Sequence, residues 1–206
     1  MQRLLQSSEK NSPEEYDKIY LARKEGGPDE FDVRRWKRLV RHYHGGKLLD
    51  MGCLDSLVPQ IAHEKYPKDE IWGLDLAPET ISDMQERFPF ANFVVGDVYK
   101  TLFPQRSFDY VVAGELMEHL EDPQKFLQEV FRILKRGGTL ALSVPKEEAL
   151  EKGAVDGDRH LWSFSEDDMY EMLEPYGYVT VETLGSKFFP VYRYAWPSLI
   201  AYCRKT

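Results

Sequence analysis

The chain has 206 residues, 42% of them hydrophobic, which suits one domain with a full core. Its formal net charge of −8, from 27 basic and 35 acidic residues, argues against a protein that coats nucleic-acid duplexes, since that needs a basic face. Cys53 and Cys203 give no disulfide framework, so a reducing, cytoplasmic setting is expected. The stretch Met1 to Ser7 lacks the apolar core of a signal peptide. No apolar run nears the roughly 20 residues needed to span a bilayer.

Residues up to about Ser12 are polar and expected to be mobile. Ser12-Pro13-Glu14-Glu15 is a helix start, with a capping serine, an early proline and acids in the first turn. That helix carries Tyr16 and Tyr20 on one face, and Gly26-Gly27-Pro28 breaks it. Glu30 to Tyr43 reads as a second helix, with Phe31, Trp36, Leu39 and Val40 as its apolar contacts.

Leu48 to Ser56 is the stretch around which the rest is organised. It reads as a buried strand ending in a tight turn, and an amphipathic helix follows from Leu57. Such a turn is expected to offer free backbone N–H groups at the carboxyl end of a parallel strand, where doubly wound sheets bind cofactors. Gly52 removes a side chain where a ligand approaches backbone, and Asp50 offers a carboxylate to a bound amine. Ile71 to Asp75 is a second strand ending in an acid, about 20 residues on, the spacing of an acid that grips ribose hydroxyls.

Pro78 to Phe88 reads as the next helix, and Asn92 to Val98 as a third strand through Gly96-Asp97. A fourth strand spans Ser107 to Gly114. A helix starts at Asp122-Pro123 with Lys135-Arg136 in its last turn, stopped by Gly137-Gly138 before a fifth strand to Pro145. Ser165 to Pro175 is a helix with Ser165 as cap and Asp168 three residues on. Tyr178 to Leu184 and Ser198 to Cys203 read as strands. This alternation predicts an α/β fold, a parallel sheet with helices on both faces.

With these five strand blocks in this order, the chain resembles the class I S-adenosylmethionine-dependent methyltransferases, from about Lys47 to Pro145 and more weakly to about Gly177. The resemblance implies a doubly wound, mostly parallel seven-stranded sheet of Rossmann-like type with an antiparallel last strand. It implies a single domain over residues 1–206, with 1–44 as a helical segment over the cofactor cleft. It also implies S-adenosylmethionine as cofactor. Asp50, Gly52 and Cys53 would then line the donor's methionine end, with Gly114 nearby. Asp75 would accept from the ribose hydroxyls and Leu76 would pack beside the adenine. Asp97 would take the adenine amino group, and the Val98 N–H would face a ring nitrogen. Where the family usually has glycine, this chain has Leu54 and Ser56. Leu54 disfavours positive φ, whereas Ser56 can cap the next helix.

Glu115-Leu116-Met117-Glu118-His119 follows the fourth strand. As one helical turn, it would put Glu115, Glu118 and His119 on one face. This cluster resembles two metal-using groups, the O-methyltransferases of ubiquinone biosynthesis and the enzymes that methylate the terminal 2′-hydroxyl of small RNAs. In these a later histidine lies near the site, and His160 is in a similar position. The metal account therefore makes Glu115, Glu118, His119 and His160 ligands of a divalent ion. The metal-free account, weighted more heavily, makes His119 or His160 the base that takes the acceptor's proton. Arg159, after Asp156-Gly157-Asp158 in a loop over the acceptor site, is either an anion anchor or a solvated charge. The aromatics Phe188, Phe189, Tyr192, Tyr194 and Trp196 read as packing around the last strand, with an acceptor-pocket wall or a homodimer contact as alternatives.

The resulting expectation is a methyltransferase acting on an oxygen of a small molecule, with no nucleic acid and no membrane span. Two alternatives stay open. One is a non-catalytic methyltransferase-like partner subunit, motivated by Leu54 and Ser56; the other is an RNA 2′-O-methyltransferase.

Overall fold

In a computed structural model of the chain, residues 1–5, 11–146, 159–185 and 197–206 are described. The aromatics expected around the last strand (188–196) and the loop acids Asp156 and Asp158 lie outside them. The cap chemistry read from the sequence is present. Ser12 accepts from the N–H of Glu15 at the start of α1 (Pro13–Gly26), and Asp29 accepts from Asp32 at the start of α2 (Glu30–Leu39). Ser165 and Asp168 form a reciprocal capping box at α6 (Glu166–Leu173).

The main sheet contains β2 (Lys47–Met51), β3 (Glu70–Asp75), β4 (Asn92–Val95), β5 (Phe108–Gly114), β6 (Leu134–Pro145), β8 (Gly177–Leu184) and β9 (Ser198–Lys205). Their order is β4-β3-β2-β5-β6-β9-β8. Neighbours from β4 to β6 pair in parallel, and β9 pairs antiparallel with both β6 and β8. This is the expected sheet of seven strands with an antiparallel last strand.

Successive side chains on a strand point to opposite faces, and the cores follow that alternation. Leu48, Ile71, Tyr110 and Val112 pack with α2 and α3 (Val58–Lys65). Leu49, Leu74, Val111 and Leu140 pack on the other face with α5 (Pro123–Ile133) and α6. α4 (Pro78–Arg87) closes a smaller cluster through Ile81 and Met84 on Phe93 and Cys53.

Three expectations are corrected. The second helix ends at Leu39, not Tyr43, and the Tyr43 hydroxyl instead donates to Asp69. α5 ends at Ile133 and the chain extends directly into β6, so Lys135 and Arg136 are strand residues. Lys135 pairs with Asp109 at 2.7 Å. Gly137-Gly138 does not stop a helix. It sits where the β5–β6 register jumps from Phe108–Leu134 to Tyr110–Thr139, a bulge that Gly137 meets with φ of 74°. Residues 1–5 include a short strand. β1 (Gln2–Arg3) pairs antiparallel with β7 (Trp162–Ser163), and Arg3 bonds Glu121. No helix among the described residues is long and apolar enough to cross a membrane.

Candidate active site

A cavity of about 360 Å³ opens at the carboxyl ends of the parallel strands. Its wall includes Asp50, Gly52, Cys53, Asp75, Leu76 and Val98 from β2, β3 and the segment after β4. Gly114, Glu115, His119 and His160 line it as well. Thus nearly all the residues singled out in the sequence converge. Asp97 and Glu118 do not line it.

The turn after β2 differs from expectation in one respect. Its N–H groups are not free: Gly52 and Cys53 donate to the Leu74 carbonyl at 2.8 and 3.2 Å, and Leu54 donates to Asp75 Oδ2 at 2.9 Å. Gly52 is required by its φ of 68° and by Leu116, whose Cδ1 would lie 2.9 Å from an added Cβ. Leu54 holds a positive φ of 29°, a strained position for a branched side chain. Ser56 accepts from the N–H of Val58 at 3.0 Å, supporting the start of α3 from just outside its cap.

With those amides engaged, the end of the cavity beside the turn is defined by acids. Asp50 is 2% exposed, and its Oδ2 makes no hydrogen bond to a described residue. Burial, reinforced by the neighbouring Asp75, pushes its pKa up to about 7, against a hydrogen bond from Ser56. Asp75 is 6% exposed and is also raised by burial, while the N–H groups of Leu54 and Ala77 hold it down. A buried carboxylate with an unused oxygen is a natural counter-charge for a cation. Asp97 is exposed, and its Oδ1 accepts from the Tyr99 N–H at 2.8 Å.

The far end is set by two loops. The chain after Gly114 does not form a single helical turn. Glu115 has φ of 50°, and a short 3-10 turn covers only Met117–His119. Glu115 therefore does not share one helical face with Glu118 and His119. The group whose ligand atoms lie within 4.8 Å of one another is Glu118, His119 and His160. Glu118 is 1% exposed with neither carboxylate oxygen hydrogen-bonded, and burial, then Glu115, pushes its pKa well up. His119 is pushed down to about 3, by burial first and then by His160. Although Glu118 and His119 approach to 3.9 Å, both shifts favour the neutral forms, so this is no ion pair.

The rings of His119 and His160 lie 4.7 Å apart, edge to face. His119 Nδ1 faces the Arg159 carbonyl at 3.3 Å. A carbonyl only accepts, so in the neutral ring Nδ1 carries the proton and Nε2 keeps its lone pair. The two loops are tied by Leu161 N–H to the Glu118 carbonyl at 2.7 Å. The Asn11 amide adds a bridge, donating to the carbonyls of His119 at 3.1 Å and Arg159 at 3.0 Å.

Tyr16, Arg23, Arg35 and Trp36 bring α1 and α2 into the wall. Tyr16 and Tyr20 diverge: Tyr16 meets His119 edge-on, and Tyr20 is buried against α4 with its hydroxyl on Asp83. Asn11, Arg23 and Arg35 were not singled out in the sequence. Their only local signal is the spacing of Asp32 and Arg35, which looks the same in a solvated helical pair.

Residues 49–142 match the family model described as "Methyltransferase domain". A "Probable S-adenosylmethionine-dependent methyltransferase" of Mycolicibacterium smegmatis is 27% identical over 73% of this chain and 58% of its own length. A ubiquinone/menaquinone biosynthesis C-methyltransferase of Desulfotalea psychrophila is 29% identical over 51% of this chain and 45% of its own. The solved structure of Haemonchus contortus phosphoethanolamine N-methyltransferase 2 in complex with S-adenosyl-L-methionine aligns with a TM-score of 0.66 at 16% identity. That alignment covers 85% of this chain and 52% of the other, a likeness of fold. The chain spans about half the length of the curated relatives it matches. These likenesses are all to methyltransferases, and the matched family model covers fewer than half of the chain's 206 residues.

Proposed function

We propose that this protein transfers the methyl group of S-adenosylmethionine to an oxygen of a small molecule, with the His119–His160 pair accepting the proton. The supporting observation is one cavity lined both by a buried acid with an unbonded oxygen and by two facing imidazoles. The residues fit the donor. In this reading Asp50 and Asp75, which line the cavity, would face the cationic donor, Asp75 would accept from its ribose hydroxyls, and Leu76 and Val98 would lie beside its adenine. In this reading Asp97 contributes from the rim, Cys53 and Gly114 shape the methionine end, and residues 1–44 cover the cleft of a single domain.

Bound there, S-adenosylmethionine supplies a methyl group on a sulfonium. The chain's part is to hold the acceptor in line and remove its proton. Two imidazoles at 4.7 Å cannot both be charged at low cost, so the pair carries at most one positive charge. Because burial keeps His119 neutral, His160 takes the acceptor's proton in this reading. Calorimetry with the donor and its demethylated product tests the donor site. His160→Ala should then lose turnover by about 10²–10⁴-fold with donor affinity kept.

A second reading is favoured by the Glu118, His119 and His160 cluster, whose mixed oxygen and nitrogen donors suit manganese, iron or zinc better than magnesium. Titration with manganese, for the parent and for Glu118→Ala, decides between the readings. Saturable binding lost in the variant supports a metal, and its absence leaves the histidine base.

A further inference from the structure

The sequence leaves Arg159 either as an anion anchor or as a solvated charge. In the structure the residue lines the cavity, and its side chain is 14% exposed. It is therefore not a solvated loop charge. A guanidinium stays charged at every pH the protein meets. A charge withdrawn from water into a cavity wall is costly unless an anion meets it there.

The backbone fixes where that charge stands. Arg159 immediately precedes His160. Its carbonyl accepts from the Asn11 amide at 3.0 Å and lies 3.3 Å from His119 Nδ1. The Tyr16 hydroxyl donates to Asn11 Oδ1 at 3.2 Å, which ties this loop to α1. Glu15 Oε2, also on α1, faces Arg159 Nη2 at 3.9 Å, and Glu15 is shared with Lys18. Of the arginines in the described wall, Arg23 is engaged with Asp32 and Asp55, and Arg35 with Asp32. Arg159 is the one next in the chain to a candidate base.

We propose that the methyl acceptor is itself an acid, a hydroxyl compound that carries a carboxylate or a phosphate. Arg159 holds the acid group while the hydroxyl faces His160. The planar guanidinium fork matches either anion with two parallel hydrogen bonds. Acid group and reacting oxygen then sit close together on one small skeleton. This rests on the methyl-transfer reading above and names the class of acceptor, which that reading leaves open.

Calorimetry on the full chain, with and without the demethylated donor product, tests it. The probes are 2-hydroxybenzoate, phenyl phosphate and the neutral 2-hydroxybenzamide. The parent should bind at least one of the two acids about tenfold more tightly than the amide, the size of one charge-assisted hydrogen bond. Whichever acid is preferred identifies the anion. Arg159→Gln should abolish that preference and keep the affinity for the donor product. Arg159 meets Asn11 and His119 through its carbonyl, so the substitution leaves those contacts in place. A parent that binds neither acid better than the amide overturns the proposal, as does an Arg159→Gln protein that keeps the preference. If Arg159→Gln does not fold, Arg159→Lys decides, since it keeps the charge and loses the fork. A reduced preference for the acid then supports the anchor, and an unchanged one overturns it. A parent that prefers an acid but does not bind the donor product upholds the anchor and overturns the donor reading.

Discussion

Replacing Asp75 by alanine removes the acceptor of two backbone N–H groups and, under the proposed donor reading, of two ribose hydroxyls. The first effect is read in the free protein. Leu54 N–H at 2.9 Å and Ala77 N–H at 3.1 Å lose their partner in a site 6% exposed. An orphaned buried donor costs about 1–3 kcal/mol. Part of that is returned, because the substitution also removes a carboxylate that burial had already made costly. A net loss of about 1–3 kcal/mol in stability is expected. The second effect is larger. Each hydrogen bond to a charged acceptor is worth about 1.5–3 kcal/mol, so losing even one lowers affinity about tenfold. The assay is calorimetry with the demethylated donor product, which keeps the ribose but lacks the sulfonium charge. It is run well below the melting point found by calorimetric scan. Asp75→Asn, which keeps an oxygen for one N–H, should recover most of the stability but little of the affinity. A folded Asp75→Ala protein with parental affinity would refute the ribose assignment.

Leu54→Gly relieves a φ of 29°, worth about 1–3 kcal/mol of strain, against about 0.5–1 kcal/mol lost to glycine's freedom. Equal or higher stability with tighter donor binding is expected; weaker binding would show that Leu54 is an accommodated residue and remove the motive for the partner-subunit alternative. Asp50 carries a folded pKa of about 7 against an ordinary value of 3.8, so it binds a proton that the unfolded chain releases. Its stabilising contribution is present below about pH 4 and is lost as pH rises through 7, by about 4 kcal/mol at most. Melting curves of Asp50→Asn from pH 4 to 8 should fall less steeply than the parent's, and parallel curves would disprove this. The same ionisation should make the donor raise the parent's melting point more at pH 8 than at pH 6. Asn11→Ala, which frees the His119 and Arg159 carbonyls, should lower turnover more than donor affinity, as separate kinetic and calorimetric measurements would show.

Most of the sheet was legible because buried parallel strands read as short apolar runs with helices between them. Asp122, Ser12 and Ser165 announced their helices by local chemistry that the fold leaves intact. The helical reading of Glu115 to His119 failed for a reason periodicity cannot register. β5 runs to Gly114, and the chain leaves it through a left-handed residue, so spacing along the sequence no longer means a shared face. The turn at Gly52 was read as a cradle of free amides. Whether its N–H groups face a ligand or the neighbouring Leu74 carbonyl depends on strand stagger, a tertiary quantity. The His119–His160 pair could be suspected by resemblance alone, since 40 residues of chain separate its members.

β9 follows β8 in the chain yet lies between β6 and β8, bonded along both flanks, with its first six residues buried. During synthesis, the segments up to β6 leave the ribosome with their parallel pairings available, while β6 and β8 wait for residues 198–205. Until that strand inserts, both present open backbone to other chains. The closing step therefore depends on contacts remote in sequence, which fold slowly and expose aggregation-prone intermediates. The vulnerable moment in the life of this protein is the interval between making β8 and placing β9, and a chaperone that shields strand edges would act there.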